Sequence, residues 1–110
     1  MHINGKLTLG ENTADNGGVR VALMALMNTI GKAAKKIDGF TPEQRFFLSF
    51  GQVWCSNERE EAQRLQAATN EHAAPEFRVN GVVENVPEFR KAFSCKVGQP
   101  MAKANVCRVW

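Results

Sequence analysis

The strongest constraint on what this chain can fold into is residues 21–27, Val-Ala-Leu-Met-Ala-Leu-Met, which are apolar without interruption. They lie inside a longer segment, residues 11–36, whose apolar side chains recur at three- and four-residue spacing and predict one helix. A helix that is apolar on every side is normally buried on every side. A chain of 110 residues offers little other structure to surround it. We therefore expect this helix to pack inside a structure larger than the chain.

The predicted helix has a defined stripe and a defined end. Its apolar stripe consists of Val19, Leu23, Leu26, Ile30, Ala33 or Ala34, and Ile37. Lys32, Lys35 and Lys36 would lie in the last turn, where cations interact favourably with the helix dipole, and Gly39 would end the helix.

A second helix is predicted after Thr41, which precedes a proline and is a favourable N-cap. The apolar residues 46–54 continue it, and it should end near Ser56. Residues 57–68 have helical composition, with Ala62 and Leu65 as the side chains expected to point inward.

The remaining third of the chain is predicted to be less regular. Residues 70–75 have loop composition, and residues 77–83 predict a short extended piece containing an Asn-Gly turn. Residues 86–93 should form a last short helix, and residues 95–110 an irregular strap. The predicted fold class is mainly α with one short extended segment, and residues 1–110 form a single segment.

Composition excludes several classes of protein. With 44% hydrophobic residues and a net charge of +3, the chain has too much apolar content for a disordered protein. No stretch approaches the roughly 20 apolar residues that span a bilayer, and the N-terminus does not have the pattern of a secretory signal. The basic residues are scattered among acids and there is no tyrosine, so nucleic-acid binding is not expected.

Residues 10–18 contain the first candidate site. Glu11 and Asp15 are four residues apart, so both carboxylates would face the same side of a helix. They could bind a metal or act in catalysis, or they could simply complement the helix dipole. The adjacent Gly17 and Gly18 favour a site, because each glycine costs about 1 kcal/mol inside a helix and usually permits close approach of another backbone.

His72 and Arg78 form the second candidate site. An imidazole and a guanidinium can together stabilise an oxyanion and hold a ligand carbonyl, although a solvated loop histidine and a surface arginine are common alternatives. His2, near the N-terminus, has no assigned role. A catalytic zinc needs three protein ligands, and the His-Glu-x-x-His pattern that supplies two of them is absent from this sequence.

Residues 4–18, with Glu-Asn-x-x-Asp at 11–15, closely resemble a segment of the neprilysin and endothelin-converting-enzyme family of zinc metallopeptidases of the gluzincin type. The resemblance covers nearly the whole chain in order. It continues through Gln-Val-Trp-Cys at 52–55, Phe-Arg-Val-Asn-Gly at 77–81, Pro-Glu-Phe at 87–89, residues 93–101 and residues 107–110. The resemblance implies that the chain is the C-terminal helical part of a gluzincin catalytic domain.

This resemblance implies a role for each candidate residue. Glu11 matches the third zinc ligand, and Asp15 matches the carboxylate that orients a zinc-ligand histidine. His72 matches the histidine that stabilises the tetrahedral transition state, and Arg78 the arginine that binds a substrate carbonyl. The loop departs from the family's usual Thr-Asp-Pro-His-Ser-Pro, since residues 69–75 read Thr-Asn-Glu-His-Ala-Ala-Pro.

The resemblance also implies a cofactor, partners and a location. The parent enzyme would use one zinc ion on peptide substrates, and the rest of the same polypeptide would supply His-Glu-x-x-His. The 110-residue segment alone should be inactive and should bind zinc weakly or not at all. The family works mostly outside the cytoplasm, so Cys55, Cys95 and Cys107 would be half-cystines, with three reduced thiols as the alternative.

The alternative function is a non-enzymatic helical module that binds a partner and derives from the peptidase fold. Under either function the all-round apolar helix and the unmatched thiols predict self-association of the isolated chain, because exposed apolar patches mark lost interfaces.

Overall fold

The computed structural model describes residues 2–31 and 34–109, and within them the chain forms five helices. The helices are α1 (Leu9–Ile30), α2 (Pro42–Val53), α3 (Glu60–Thr69), α4 (Pro75–Val83) and α5 (Pro87–Ala92). The mainly α fold class is therefore confirmed. Residues 95–109 contain neither helix nor strand and form the irregular strap that the sequence predicts.

The first helix, α1, is shorter than predicted at its C-terminal end. It stops at Ile30 rather than Lys36 because Gly31 takes a φ of 65°, a left-handed conformation that costs glycine little. The N–H of Gly31 still donates to the carbonyl oxygen of Met27 at 3.3 Å, which closes the last turn.

The residues after α1 do not have their predicted roles. Lys35 and Lys36 follow the helix instead of occupying its last turn, whereas Lys32 and Ala33 lie outside the described residues. Gly39 does not end the helix. It sits in a separate tight turn, where it takes a φ of 81°.

The second helix, α2, begins where the sequence predicts. The Thr41 hydroxyl accepts from the backbone N–H of Gln44 at 3.2 Å, and the Gln44 side chain accepts from the Thr41 N–H at 2.9 Å. This reciprocal capping box satisfies two backbone donors that the helix itself leaves unpaired. The Gln44 amide also donates to the carbonyl oxygen of Ala92 at 2.9 Å, which ties the start of α2 to the end of α5.

The predicted extended segment at residues 77–83 is wrong, because these residues belong to α4. Pro75 occupies the first turn of the helix, where its fixed φ is favourable and its missing N–H costs nothing. Val82 and Val83 are 2% and 3% exposed, so burial outweighs the cost of glycine inside a helix. The Asn80-Gly81 pair therefore lies in a helix rather than in a turn.

The core is small and lies where α1, α2, α4 and the start of α5 meet. Its buried side chains are Val19, Leu23, Phe47, Val82, Val83 and Val86. The ring of Phe47 packs edge-to-face on Phe46 and Phe89, with centroids 5.3 and 5.2 Å apart. Val19 and Leu23 come from the predicted stripe of α1, and they position α4 against that helix.

Large apolar side chains remain exposed elsewhere. Val21 and Met24 on α1 are 52% and 54% exposed, so the described residues cover only part of the apolar helix. On α3, Ala62 and Leu65 do not point inward as predicted, and Leu65 is 65% exposed. The half-buried side of α3 consists of Gln63, Gln66 and Ala67. Because the inner face of α3 is mostly polar, the spacing of its apolar residues does not reveal which face packs against the protein.

The overall shape is open for a chain of this length. The Cα radius of gyration is 15.2 Å, whereas a compact domain of about 100 residues has a radius near 13 Å. No helix among the described residues combines the length and the apolar character needed to cross a lipid bilayer.

Candidate functional site

The four predicted site residues come from two parts of the fold that meet beside the start of α1. Glu11 and Asp15 lie one turn apart near the N-terminus of α1. His72 lies in the loop before α4, and Arg78 lies in the first turn of α4. Because α4 packs against α1, the four side chains form two pairs, Asp15 with Arg78 and Glu11 with His72. The two carboxylates therefore do more than complement the helix dipole.

The Asp15–Arg78 pair is bidentate and well covered. Arg78 Nε donates to Asp15 Oδ2 at 2.6 Å, and Nη2 donates to Oδ1 at 2.7 Å. The two side chains are only 13% and 14% exposed. The hydrogen bonds that Arg78 donates to Asp15 raise the pKa of Arg78, burial opposes this increase, and the negative charges of Asp15 and Glu11 add to it. Such fork geometry fixes the guanidinium plane as well as its charge.

Trp54 covers the face of the same guanidinium. The Arg78 Cζ lies 4.0 Å from the centroid of the indole ring, a cation–π contact. Trp54 follows the last residue of α2, so this contact brings a third element to the site. The buried indole Nε1 has no hydrogen-bond partner among the described residues. Trp54 belongs to the motif at residues 52–55 that carries the family resemblance, but no role is predicted for it from sequence.

The Glu11–His72 pair is more exposed and has a single contact. His72 Nε2 lies 3.1 Å from Glu11 Oε2, and the side chains are 40% and 39% exposed. On the other side of the ring, His72 Nδ1 lies 3.0 Å from Asn70 Oδ1. The same oxygen accepts from the backbone N–H of His72 at 2.9 Å, which fixes the orientation of the amide and the ring.

A third side chain lies beside this pair. A carboxylate oxygen of Glu71, a carboxylate oxygen of Glu11 and a ring nitrogen of His72 all lie within 4.8 Å of one another. Glu71 is exposed, whereas the other two are partly buried. In the sequence Glu71 stands out only as a departure from the loop of the family it resembles, and nothing there indicates this grouping.

Asn85 fixes the relative position of the elements that carry the site. Its Nδ2 donates to Asn16 Oδ1 at 3.1 Å and to the carbonyl oxygen of Gly81 at 2.9 Å. Its Oδ1 accepts from the backbone N–H of Cys107 at 3.0 Å. One side chain thus connects α1, α4 and the strap. This role is not predicted from the sequence, because no local pattern marks an asparagine that bridges distant segments.

The glycine pair of α1 is only partly explained within the described residues. Gly17 is buried, whereas a Cβ added to Gly18 would meet nothing within 4 Å. The close backbone approach predicted at both positions is therefore wrong for Gly18 within this structure. The reason is that Gly18 lines an open groove between α1 and α2.

This groove is a large and mostly apolar depression. It encloses about 800 Å³ and Asp15 also lines it. Its apolar walls include Gly18, Ala22 and Leu26 from α1 and Phe46, Phe50 and Val53 from α2. Val53 is 74% exposed, so the groove opens widely to its surroundings next to the Asp15–Arg78 pair.

The three cysteines are free thiols in this structure. Cys55 and Cys107 are exposed and Cys95 is partly buried. None of them pairs with another cysteine of the chain, so disulfides with other sequence remain a prediction.

Known proteins share this sequence and fold. The family model for peptidase family M13 matches residues 1–109. An endothelin-converting enzyme homolog of Locusta migratoria is 43% identical over 113 residues, which cover 99% of this chain and 16% of that protein. Neprilysin-3 of Drosophila melanogaster is 42% identical over 115 residues, which cover 98% of this chain and 14% of that protein.

A solved structure agrees with the sequence comparisons. The zinc metalloprotease Zmp1 of Mycobacterium tuberculosis, in complex with an inhibitor, superposes with a TM-score of 0.89 at 38% identity. The match covers 93% of this chain and 16% of the Zmp1 chain. This chain therefore spans about a sixth of the proteins it resembles, and it belongs to peptidase family M13.

Proposed function

We propose that this chain is the C-terminal part of a zinc-dependent metalloendopeptidase that hydrolyses peptide bonds. The observation that carries the proposal is the pairing of Glu11 and Asp15 on α1 with His72 and Arg78 from the α4 region. These are the residues to which the family resemblance assigns zinc binding, histidine orientation, transition-state stabilisation and substrate binding.

The donor chemistry of Glu11 fits zinc. Its carboxylate is 39% exposed and faces an imidazole rather than a lysine or arginine side chain among the described residues. Glu11 would supply one of three protein ligands, and the rest of the polypeptide would supply two histidines. When bound, zinc would polarise the peptide carbonyl and activate the attacking water.

Asp15 can position a ligand histidine while it holds Arg78. Each of its oxygens accepts one hydrogen bond from Arg78, and a carboxylate has roughly four lone-pair sites in total. The remaining sites can accept the N–H of an imidazole, which would fix the tautomer of a zinc ligand.

Arg78 and His72 would act on the substrate. Arg78 has five N–H donors and uses two on Asp15, so donors remain for a substrate carbonyl. Trp54 and Asp15 hold the guanidinium in one plane, which reduces the entropy lost on binding. With a proton on both ring nitrogens, His72 would donate from Nε2 to the oxyanion as the tetrahedral intermediate forms.

The rest of the same polypeptide would occupy the groove between α1 and α2. Together, Val21, Met24 and the walls of the groove expose apolar surface to solvent, which is unfavourable unless another segment covers it. The relatives have about six times as much sequence as this chain, which is ample to cover it.

The test uses the polypeptide that contains this chain together with the sequence preceding it. We expect His-Glu-x-x-His about sixty residues before Glu11, a spacing that the family resemblance implies. Glu11→Gln should reduce zinc retained through dialysis and slow cleavage of a fluorogenic peptide by at least about 100-fold. Glu61→Gln, on the exposed side of α3, is the matched control. Unchanged zinc content in the Glu11→Gln enzyme would overturn the proposal.

The alternative, a non-enzymatic partner-binding module, is favoured by the same exposed apolar surface. Under this alternative the preceding sequence would have no His-Glu-x-x-His, and the longer polypeptide would bind no zinc. Under both functions the isolated chain should self-associate. The double substitution Val21→Ser and Met24→Ser should lower the mass measured by light scattering, since both side chains are about half exposed. A monomer before substitution would contradict this prediction.

The proposed location is extracytoplasmic. Two of the three thiols are exposed and could reach cysteines of the remaining polypeptide in an oxidising compartment. Mass spectrometry of the longer polypeptide without reduction tests whether Cys55, Cys95 and Cys107 are half-cystines. Recovery of all three as free thiols would support the alternative of three reduced thiols.

A further inference from the structure

The ring of His72 lies between two hydrogen-bond acceptors. Asn70 Oδ1 contacts Nδ1 at 3.0 Å and also accepts from the His72 backbone N–H, so this atom is an oxygen and not the amide nitrogen. Nδ1 must therefore carry a proton. Glu11 Oε2 lies 3.1 Å from the other ring nitrogen, Nε2.

In this arrangement a cation between Nε2 and Glu11 would be stabilised by both groups. A neutral imidazole with its proton on Nδ1 has a lone pair on Nε2, and that lone pair would face a carboxylate oxygen. The repulsion is relieved by a second ring proton or by a metal ion bound to both atoms. In a metal-binding histidine, one ring nitrogen usually donates a hydrogen bond to an acceptor, and the lone pair of the other nitrogen binds the metal.

Glu71 would allow this chain to bind such a metal ion without ligands from any other sequence. Its carboxylate oxygen lies within 4.8 Å of the ligand atoms of both Glu11 and His72. Donors bound to one zinc ion at about 2.1 Å lie roughly 3.4 Å apart in a tetrahedron. The distance from His72 to Glu11 is already close to that value, and the exposed Glu71 side chain can close the rest.

We propose that Glu11, Glu71 and His72 form a second, alternative binding site for a divalent transition metal such as zinc. The inference goes beyond the proposed peptidase function, because Glu71 and His72 have no part in the zinc-ligand set of that proposal. The two sites share Glu11, so a cation held here and a catalytic zinc compete for one carboxylate. Binding should be weaker than at a site with two histidines, since carboxylates are the less favourable donors for zinc.

The experiment measures zinc binding to the 110-residue chain by isothermal titration calorimetry. All three cysteines are first replaced by serine, because exposed thiols bind zinc independently. We expect one equivalent of zinc to bind, and Co²⁺ to show visible ligand-field absorption at the same site. Glu71→Gln and His72→Ala should each weaken zinc binding at least about tenfold. Glu61→Gln and His2→Ala, both exposed, are the matched controls and should change it less than twofold.

Two outcomes would overturn the inference. One is the absence of saturable zinc binding to the cysteine-free chain, with its helical content confirmed by circular dichroism. The other is an unchanged dissociation constant in Glu71→Gln, whose exposed side chain can be replaced without disturbing the fold. A different result would overturn the proposed peptidase function, namely unchanged zinc content in the Glu11→Gln variant of the longer polypeptide. In that proposal the zinc content depends on Glu11 and not on Glu71.

Discussion

The two acid–base pairs beside α1 have similar components but different surroundings. Asp15 and Arg78 make two hydrogen bonds, are about one-seventh exposed and are covered by Trp54. Glu11 and His72 make one contact and are about two-fifths exposed. The chain completes the first pair by itself, whereas the second pair retains free donor atoms at an open edge. The difference separates a pair that holds the local structure together from a pair that remains available to a ligand.

The largest effect on stability is expected from Arg78→Ala. It would leave the Asp15 carboxylate covered and unpaired, at a cost of about 2–3 kcal/mol in the free energy of unfolding. Urea unfolding followed by circular dichroism measures this cost. Arg64→Ala, which removes an exposed pair with Glu60, is the control and should cost less than about 0.5 kcal/mol. Equal costs for the two variants would mean that the Asp15–Arg78 pair has no special structural role.

The contribution of Arg78 should not depend on pH in the usual range. The hydrogen bonds that Arg78 donates to Asp15 raise the pKa of Arg78 above its ordinary value. A group whose pKa is higher in the folded state than in the unfolded state stabilises the fold at pH values below its ordinary pKa. This stabilisation is lost only as the pH rises through the raised pKa. The difference between the wild type and Arg78→Ala should therefore stay constant between about pH 6 and pH 9. A difference that shrinks steadily toward pH 9 would contradict this assignment.

An intermediate effect is expected from Trp54→Leu. Loss of the ring removes the cation–π contact and should cost about 1 kcal/mol in the free energy of unfolding. Trp54→Phe keeps a ring face and loses an indole N–H that has no partner among the described residues, so it should cost less than half as much. In an Arg78→Ala background the cost of Trp54→Leu should fall. A cost independent of Arg78 would show that Trp54 acts only through packing.

The smallest effect on stability is expected from Glu11→Gln. The half-exposed contact with His72 should contribute less than about 0.5 kcal/mol to the free energy of unfolding of the isolated chain. The same substitution has the largest expected effect on zinc content in the longer polypeptide, so the two measurements together test the division between the pairs. A destabilisation by Glu11→Gln as large as that by Arg78→Ala would remove the distinction.

Local sequence predicted those features of the fold that depend on neighbouring residues. The capping box of Thr41 and Gln44 lies within four residues, so its hydrogen bonds require no other element. The stripe of α1 predicted the burial of Val19 and Leu23, because the 3.6-residue period alone places them on one face. The early end of α1 at Gly31 was missed, since the apolar spacing continues past a glycine whose conformation the pattern does not reveal.

Other features depend on contacts between distant segments. The Asn80-Gly81 pair is typical of a hairpin turn, but α4 is helical there because Val82 and Val83 bury themselves against α1 and α2. The grouping of Glu71 with Glu11 was equally invisible, since 60 residues separate the two and only the packing of α4 on α1 brings them together.

The sequence by itself determined the helical class of this chain and its family, and it singled out the four candidate site residues. These features follow from short-range periodicity, capping and motifs that survive in order along the chain. Only the tertiary structure decided which acid pairs with which base, that Trp54 covers Arg78, and that Glu71 joins Glu11 and His72. The physical reason is that a hydrogen bond or a metal site depends on distances of a few ångströms between atoms, and the packing of helices distant in sequence sets those distances.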